Sequence, residues 1–200
     1  MTVTSPSAST QRTPARDRLL AAAMDLFYAQ GINTVGVDRI IERAGVSRAS
    51  FYNNFESKEE LIHTYLVARH EGTTSRLLDH VGAHDDPRQK ILAVFDAQAA
   101  QFRQPGFNGC AFMAASTEAP SGGVIESDCA NFRRWIRTLF TGLARGAGAP
   151  DADVLGRQLH VLYDGAGLTA RMDQDPEIAT SVRAAVVVLL LGSAIPNASG

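Results

Sequence analysis

The run Arg48-Ala49-Ser50-Phe51-Tyr52-Asn53 carries side chains suited to one kind of chemistry, the reading of hydrogen-bonding edges in a groove. An amide such as that of Asn53 pairs bidentately with adenine, a methyl such as that of Ala49 meets the methyl of thymine, and hydroxyls such as those of Ser50 and Tyr52 reach phosphate oxygens. Arg48 supplies a guanidinium for phosphate or guanine. Lys58 brings an ammonium to the start of the following helix, where free backbone N–H groups also attract phosphate. At about 100° per residue, turning Phe51 and Phe55 inward aims Ala49 and Asn53 outward, flanked by Ser50 and Tyr52. None of these is acidic. An ordinary corner between two helices with a solvated face fits the same periodicity, so the wheel alone leaves both readings open.

The elements that must hold this run read as helices throughout, with no convincing strand alternation. Pro14 suits a first helical turn, Leu19, Ala23, Leu26 and Phe27 mark one face, and Gly31 ends the helix. Val37, Ile40, Ile41 and Ala44 form the next stripe, closed by Gly45 as a left-handed stop. Ser47 caps the short helix bearing the groove-reading run, and Ser57 with Glu60 forms a capping box for a long helix reaching about His80. Further helices are expected from Asp85-Asp86-Pro87 to about Arg103, over Asn108 to Glu118, through Trp135 and Phe140, from Asp151 to Met172, and from Pro176 to Leu191. The expected fold is therefore all-α, about nine helices. A three-helix helix-turn-helix domain over 14–56 follows a disordered arm over 1–13 and precedes a helical effector and dimerisation domain over 57–194.

Composition sets bounds on function. The chain has 200 residues, 45% of them hydrophobic, which is enough for a substantial core. The strongest apolar run, Ala184 to Leu191, is too short for a membrane span, and the first residues lack the apolar stretch of a signal peptide. A cytoplasmic location with no membrane partner is expected. A net charge of −2 confines any nucleic-acid contact to local patches. Two such patches, Arg12 with Arg16 and Arg43 with Arg48, contain no acid. Cys110 and Cys129 show no metal-binding spacing and read first as small buried hydrophobes, with a redox pair as the alternative.

His80 and His84, beside Asp85 and Asp86, are the nearest approach to a metal cluster, but they lack the H-E-x-x-H pattern. Gly142 to Gly146 lacks phosphate-loop spacing, and Asp164-Gly165-Ala166-Gly167 falls inside a helical pattern. No catalytic residue, metal or cofactor is expected, and the chain does not read as an enzyme.

The stretch Gly31 to Leu61 resembles the DNA-binding signature of the TetR family of bacterial regulators. The A-G-V-S element at residues 44–47, F-Y at 51–52, N-F at 54–55 and S-K-E-E-L at 57–61 stand at the expected relative positions. The resemblance implies a homodimer that binds double-stranded operator DNA, usually as a repressor released by a small molecule. It places Arg48, Ala49, Ser50, Tyr52 and Asn53 on a recognition helix and Tyr52 and Lys58 among phosphate contacts. Val35 and Gly36 stand where two hydroxyl residues are common, leaving Thr34 as the substitute contact, and Ile41 replaces a usual alanine. A dimeric ligand-binding or interaction module that does not touch DNA is the alternative.

For an effector, Phe95, Phe102, Phe107, Met113, Trp135 and Tyr163 are the large side chains available to line a cavity, which points to an apolar or aromatic ligand. For a dimer, Gly165, Ala166, Gly167 and Ala170 with the stripe Val182, Ala185, Val186 and Leu189 suggest that the last two helices close as a four-helix bundle with a second copy.

Overall fold

The computed structural model describes residues 13–192, so the arm expected over 1–13 lies outside the described residues apart from Thr13. Nine helices and no strand occur among the described residues: α1 Ala15–Gln30, α2 Val37–Ala44, α3 Arg48–Asn54, α4 Lys58–Gly82, α5 Pro87–Phe102, α6 Ala111–Glu118, α7 Val124–Gly146, α8 Ala152–Asp173 and α9 Ile178–Gly192. None is long and apolar enough to cross a membrane.

Local signals set most of the boundaries. Ser47, Ser57, Asp86 and Asp151 each accept a hydrogen bond from a backbone N–H in the first turn of the helix that follows, which satisfies one of its orphan donors. The capping box at α4 is displaced by one residue, because Glu60 Oε2 accepts from the N–H of Glu56 rather than that of Ser57. Pro14 stands just before α1 and not in its first turn. Helix α6 begins at Ala111, later than the sequence suggested, because Gly109 takes a positive φ of 80° and Asn108 is tied to α1.

Two apolar cores organise the chain. The first joins α1 to α3 with the N-terminal half of α4, through Leu19, Phe27, Ile40, Phe51, Phe55, Leu61 and Tyr65, and extends to Phe112 and Phe132 of α6 and α7. The second gathers Leu77, Ile91, Phe95, Ile136, Phe140, Leu159 and Val186 from α4, α5 and α7 to α9. Helix α4, roughly 37 Å long at 1.5 Å per residue, belongs to both. A core therefore runs across the boundary between 56 and 57, and the division into 14–56 and 57–194 stands as a functional proposal.

Candidate nucleic-acid interface and ligand cavity

Helix α3 is seven residues long, too short to persist alone, so its neighbours must hold it. Phe51 and Phe55 are 0% and 1% exposed and anchor it from behind. The turn before it is a Schellman closure: Gly45 at φ 62° and ψ 43° lets its own N–H reach Glu42 O at 3.1 Å and that of Val46 reach Ile41 O at 3.3 Å. Helix α1 adds two clamps that sequence reasoning missed. Arg18 Nη1 donates to Ala44 O at 3.1 Å and Gly45 O at 2.9 Å, binding the carbonyl end of α2. Arg16 Nη1 donates to Asn54 O at 2.6 Å while its guanidinium stacks 4.2 Å from the centre of the Phe55 ring. An arginine preceding an otherwise apolar helical face was the available signal.

The outward face of α3 matches the wheel. Arg48, Ala49, Tyr52 and Asn53 are exposed, Ser50 is half-buried, and Asn54 turns back to donate to Ser50 O at 2.8 Å. Thr34 is exposed in the α1–α2 turn, and Lys58 is half-buried at the start of α4. Burial lowers the Lys58 ammonium pKa, with the Glu118 carboxylate pulling it back up. Val35 is wholly buried, so the position where a hydroxyl was looked for is part of the core.

The acid-free patch of Arg43 and Arg48 does not remain so in space, while Arg12 of the other patch lies outside the described residues. Arg48 Nη1 lies 2.6 Å from Asp38 Oδ1, and Arg43 Nη2 lies 3.1 Å from Asp25 Oδ2. Both pairs are well exposed, so each is worth about 0–1 kcal/mol and yields readily to a phosphate.

Some distance from this face, a cavity of about 100 Å³ opens between α1, α4, α5, the α5–α6 turn, α7 and α8. Phe102, Phe107 and Tyr163 of the six residues singled out in the sequence line it, joined by Tyr28, Phe112 and Phe132. The other three do not. Phe95 sits one turn deeper on α5, against Phe140 at 5.6 Å and Tyr163 at 6.2 Å. Met113 is rotated away because its neighbour Phe112 occupies the inward position, stacked 3.9 Å from Phe132. Trp135 lies in a surface groove with Val67 and His70.

The cavity is also more polar than expected, since Arg69, Thr73 and Arg76 of α4 and Gln98, Gln101 and Asp164 share its wall. Gln98 Nε2 donates to Tyr163 O at 2.7 Å. Asp164 is held by Arg133 Nη1 at 2.7 Å, and His160 Nε2 stands 3.5 Å from it without hydrogen-bond geometry. Burial pushes the Tyr163 phenol and the Cys110 thiol well up, so both are neutral at physiological pH. Cys129 is pushed up to about 11 by burial, and its thiol donates to Phe112 O. Such raised thiols are poor nucleophiles, which favours packing over a redox role.

The segment between α5 and the end of α6 touches both the cavity and the helix-turn-helix. Gly109 to Phe112 line the cavity. Tyr28 OH donates to Gly109 O at 3.1 Å and accepts from Asn108 N at 2.9 Å, and Asn108 Nδ2 donates to Tyr28 O at 2.7 Å. At the far end Glu118 accepts from Asn33 N at 2.7 Å, and Asn33 Nδ2 donates to Glu118 O at 2.8 Å.

Comparison with known proteins places these features in a family. Residues 19–65 match the family of bacterial regulatory proteins of the tetR type. The crystal structure of a TetR-family transcriptional regulator from Streptomyces coelicolor superposes with a TM-score of 0.88 at 33% identity, covering 92% of this chain and 91% of that one. The HTH-type transcriptional activator FasR of Mycolicibacterium smegmatis is 34% identical over 86 residues, 43% of this chain and only 39% of that protein's length. The HTH-type transcriptional repressor KstR2 of the same organism is 24% identical over 153 residues, 74% of this chain and 75% of that protein. Sequence signature, helical order and whole-chain superposition agree: the chain belongs to the TetR family of bacterial transcriptional regulators.

Proposed function

We propose that the chain acts as a homodimeric repressor that grips a palindromic operator through α3 and lets go when a small molecule occupies the cavity beside α4. The observation that carries the reading is the sidedness of α3. Its phenylalanines are buried while Ala49, Tyr52 and Asn53 face solvent on a helix tied to α1 through Arg16 and preceded by a turn that Arg18 holds. In this reading Asn53 and Ala49 meet base edges, Arg48 leaves Asp38 for a guanine or phosphate, and Ser50, Tyr52, Thr34 and Lys58 take phosphates. Relatives bear the names of both an activator and repressors, so repression is the part of the proposal that rests on family habit.

Dimerisation through α8 and α9 is supported by an apolar stripe at helical spacing. Val161, Leu168 and Met172 on α8 are 70%, 42% and 72% exposed, and Val188 and Leu191 on α9 are 67% and 62% exposed. Val161 and Val188 line one open apolar groove between the two helices, and exposed apolar surface of this kind marks an interface. The stripe differs from the one read in the sequence: Ala166, Gly167, Ala170 and Val186 are buried in the chain's own core, while Gly165 and Ala185 do face outward.

Because two recognition helices must be about 34–36 Å apart to meet successive major grooves, a ligand that shifts α4 alters operator affinity by altering that spacing. Selection of bound duplexes from a random pool tests the whole reading. Recovery of a palindrome bound with steep salt dependence is the expected result. A protein that enriches no sequence, or whose duplex binding ignores salt, is the non-DNA-binding module instead.

A further inference from the structure

Resting on the effector reading above, we propose that the cavity selects a small monocyclic aromatic carboxylate, whose ring is held by the aromatic walls and whose anion is held by Arg69 and Arg76. The two arginines, with Thr73 between them, stand at i, i+4 and i+7 on α4 and so form one stripe along the cavity wall. Neither guanidinium forms an ion pair among the described residues, and the Nε of each is buried without a hydrogen-bond partner. Both side chains are half-buried and Arg69 also hydrogen-bonds the Tyr65 hydroxyl, but a buried N–H left without an acceptor is costly, and an acceptor arriving with a ligand removes that cost. Arg69 is pre-set for this by stacking 4.0 Å from the Tyr28 ring centre and 5.5 Å from that of Tyr65, which holds its fork in one plane.

The remaining titratable groups on the wall leave the positive charge in place. Asp164 is neutralised by Arg133, and the Cys110 thiol and Tyr163 phenol are uncharged. Size limits the ligand further. At about 100 Å³ the space is smaller than the roughly 150 Å³ apolar cavity that holds benzene, so a single ring enters only as the walls move apart and the open side gives room, and a fused system is a poorer fit.

The test is calorimetric titration of the full chain with benzoate, 4-hydroxybenzoate and phenylacetate, and with the corresponding neutral amides. At least one carboxylate should bind ten times or more tighter than its amide. Arg76→Gln should remove that preference, and Arg76→Lys should keep a good part of it. Arg76 is the position to change because Arg69 also stacks on the core, and matched thermal melts of the variants show that the fold is retained. Amides binding as tightly as acids, Arg76→Gln leaving the preference intact, or neither series binding overturns the inference. A parallel measurement of operator release separates the two readings. A neutral compound that binds and releases DNA leaves the effector reading standing without this one. A carboxylate that binds with the expected preference yet leaves operator affinity unchanged at saturation does the reverse.

Discussion

The two ends of α4 lie in different surroundings. At its N-terminal end Leu61, Ile62, Tyr65 and Leu66 pack into the core that holds α1 to α3. At the other end Leu77 belongs to a core built from α5 and α7 to α9. Between them Arg69, Thr73 and Arg76 face the cavity. The first core, around the helix-turn-helix, is dominated by residues close together in sequence and closed by short-range caps. The cavity draws on residues from Tyr28 to Gly167. One region is thus a rigid probe assembled locally, and the other is a space that exists only when distant helices meet. A single continuous helix connects them, and in the proposed mechanism a ligand acts on α3 through it.

The largest test of this contrast removes a pillar from each core. Phe51→Ala should cost about 3–5 kcal/mol and Leu77→Ala about 2–5 kcal/mol in urea unfolding. Because α4 crosses both cores, each variant should still unfold in one transition, coincident by circular dichroism and by Trp135 fluorescence. Separate transitions would show two independent units joined by a passive rod.

A smaller loss is expected where α7 and α8 cross. A Cβ at Gly156 would lie 2.9 Å from Thr141 Cα, so Gly156→Ala forces the helices apart at about 1–3 kcal/mol. Operator affinity per folded molecule should be unchanged; if it fell in proportion, the probe would not be as local as described.

At the DNA face the effects should differ in kind. Asn53→Ala should relax preference by about 1–3 kcal/mol at a single base pair, whereas Lys58→Ala should weaken every duplex alike and lower the salt slope by about one. Quantitative gel shifts on single-site operator variants distinguish them, and equal behaviour would undo the role assignment.

The smallest effect on stability belongs to Arg48→Ala, since the exposed pair with Asp38 is worth about 1 kcal/mol at most. A near-unchanged melting temperature with weakened duplex binding is the expected outcome. Unaltered binding would mean that Arg48 stays with Asp38 in the complex.

Much of the probe was legible in residue order. Ser47, Gly45 and the Ser57 cap mark helix ends through bonds made within a few residues, and the spacing of Phe51 and Phe55 sets the inward side of α3. The clamps from Arg16 and Arg18 were not legible, because each bond spans a separation in sequence that no local periodicity encodes. The cavity was half legible. Size alone suggested Phe102, Phe107 and Tyr163, but it also suggested Phe95, Met113 and Trp135, which the packing of α5 to α7 turns elsewhere. The stripe of Arg69, Thr73 and Arg76 was missed, because nothing in the chain order says that these residues of α4 face a cavity.

What the amino-acid sequence determined by itself is the number, order and type of the helices and the side of α3 that meets solvent, because caps, left-handed glycines and apolar spacing act over one or two turns. What only the tertiary structure decided is which residues share the cavity, which charges are already paired, and which stripe of α8 and α9 is left uncovered. Those depend on contacts between segments far apart in the chain, where packing density and Coulomb partners, not local propensity, choose the outcome.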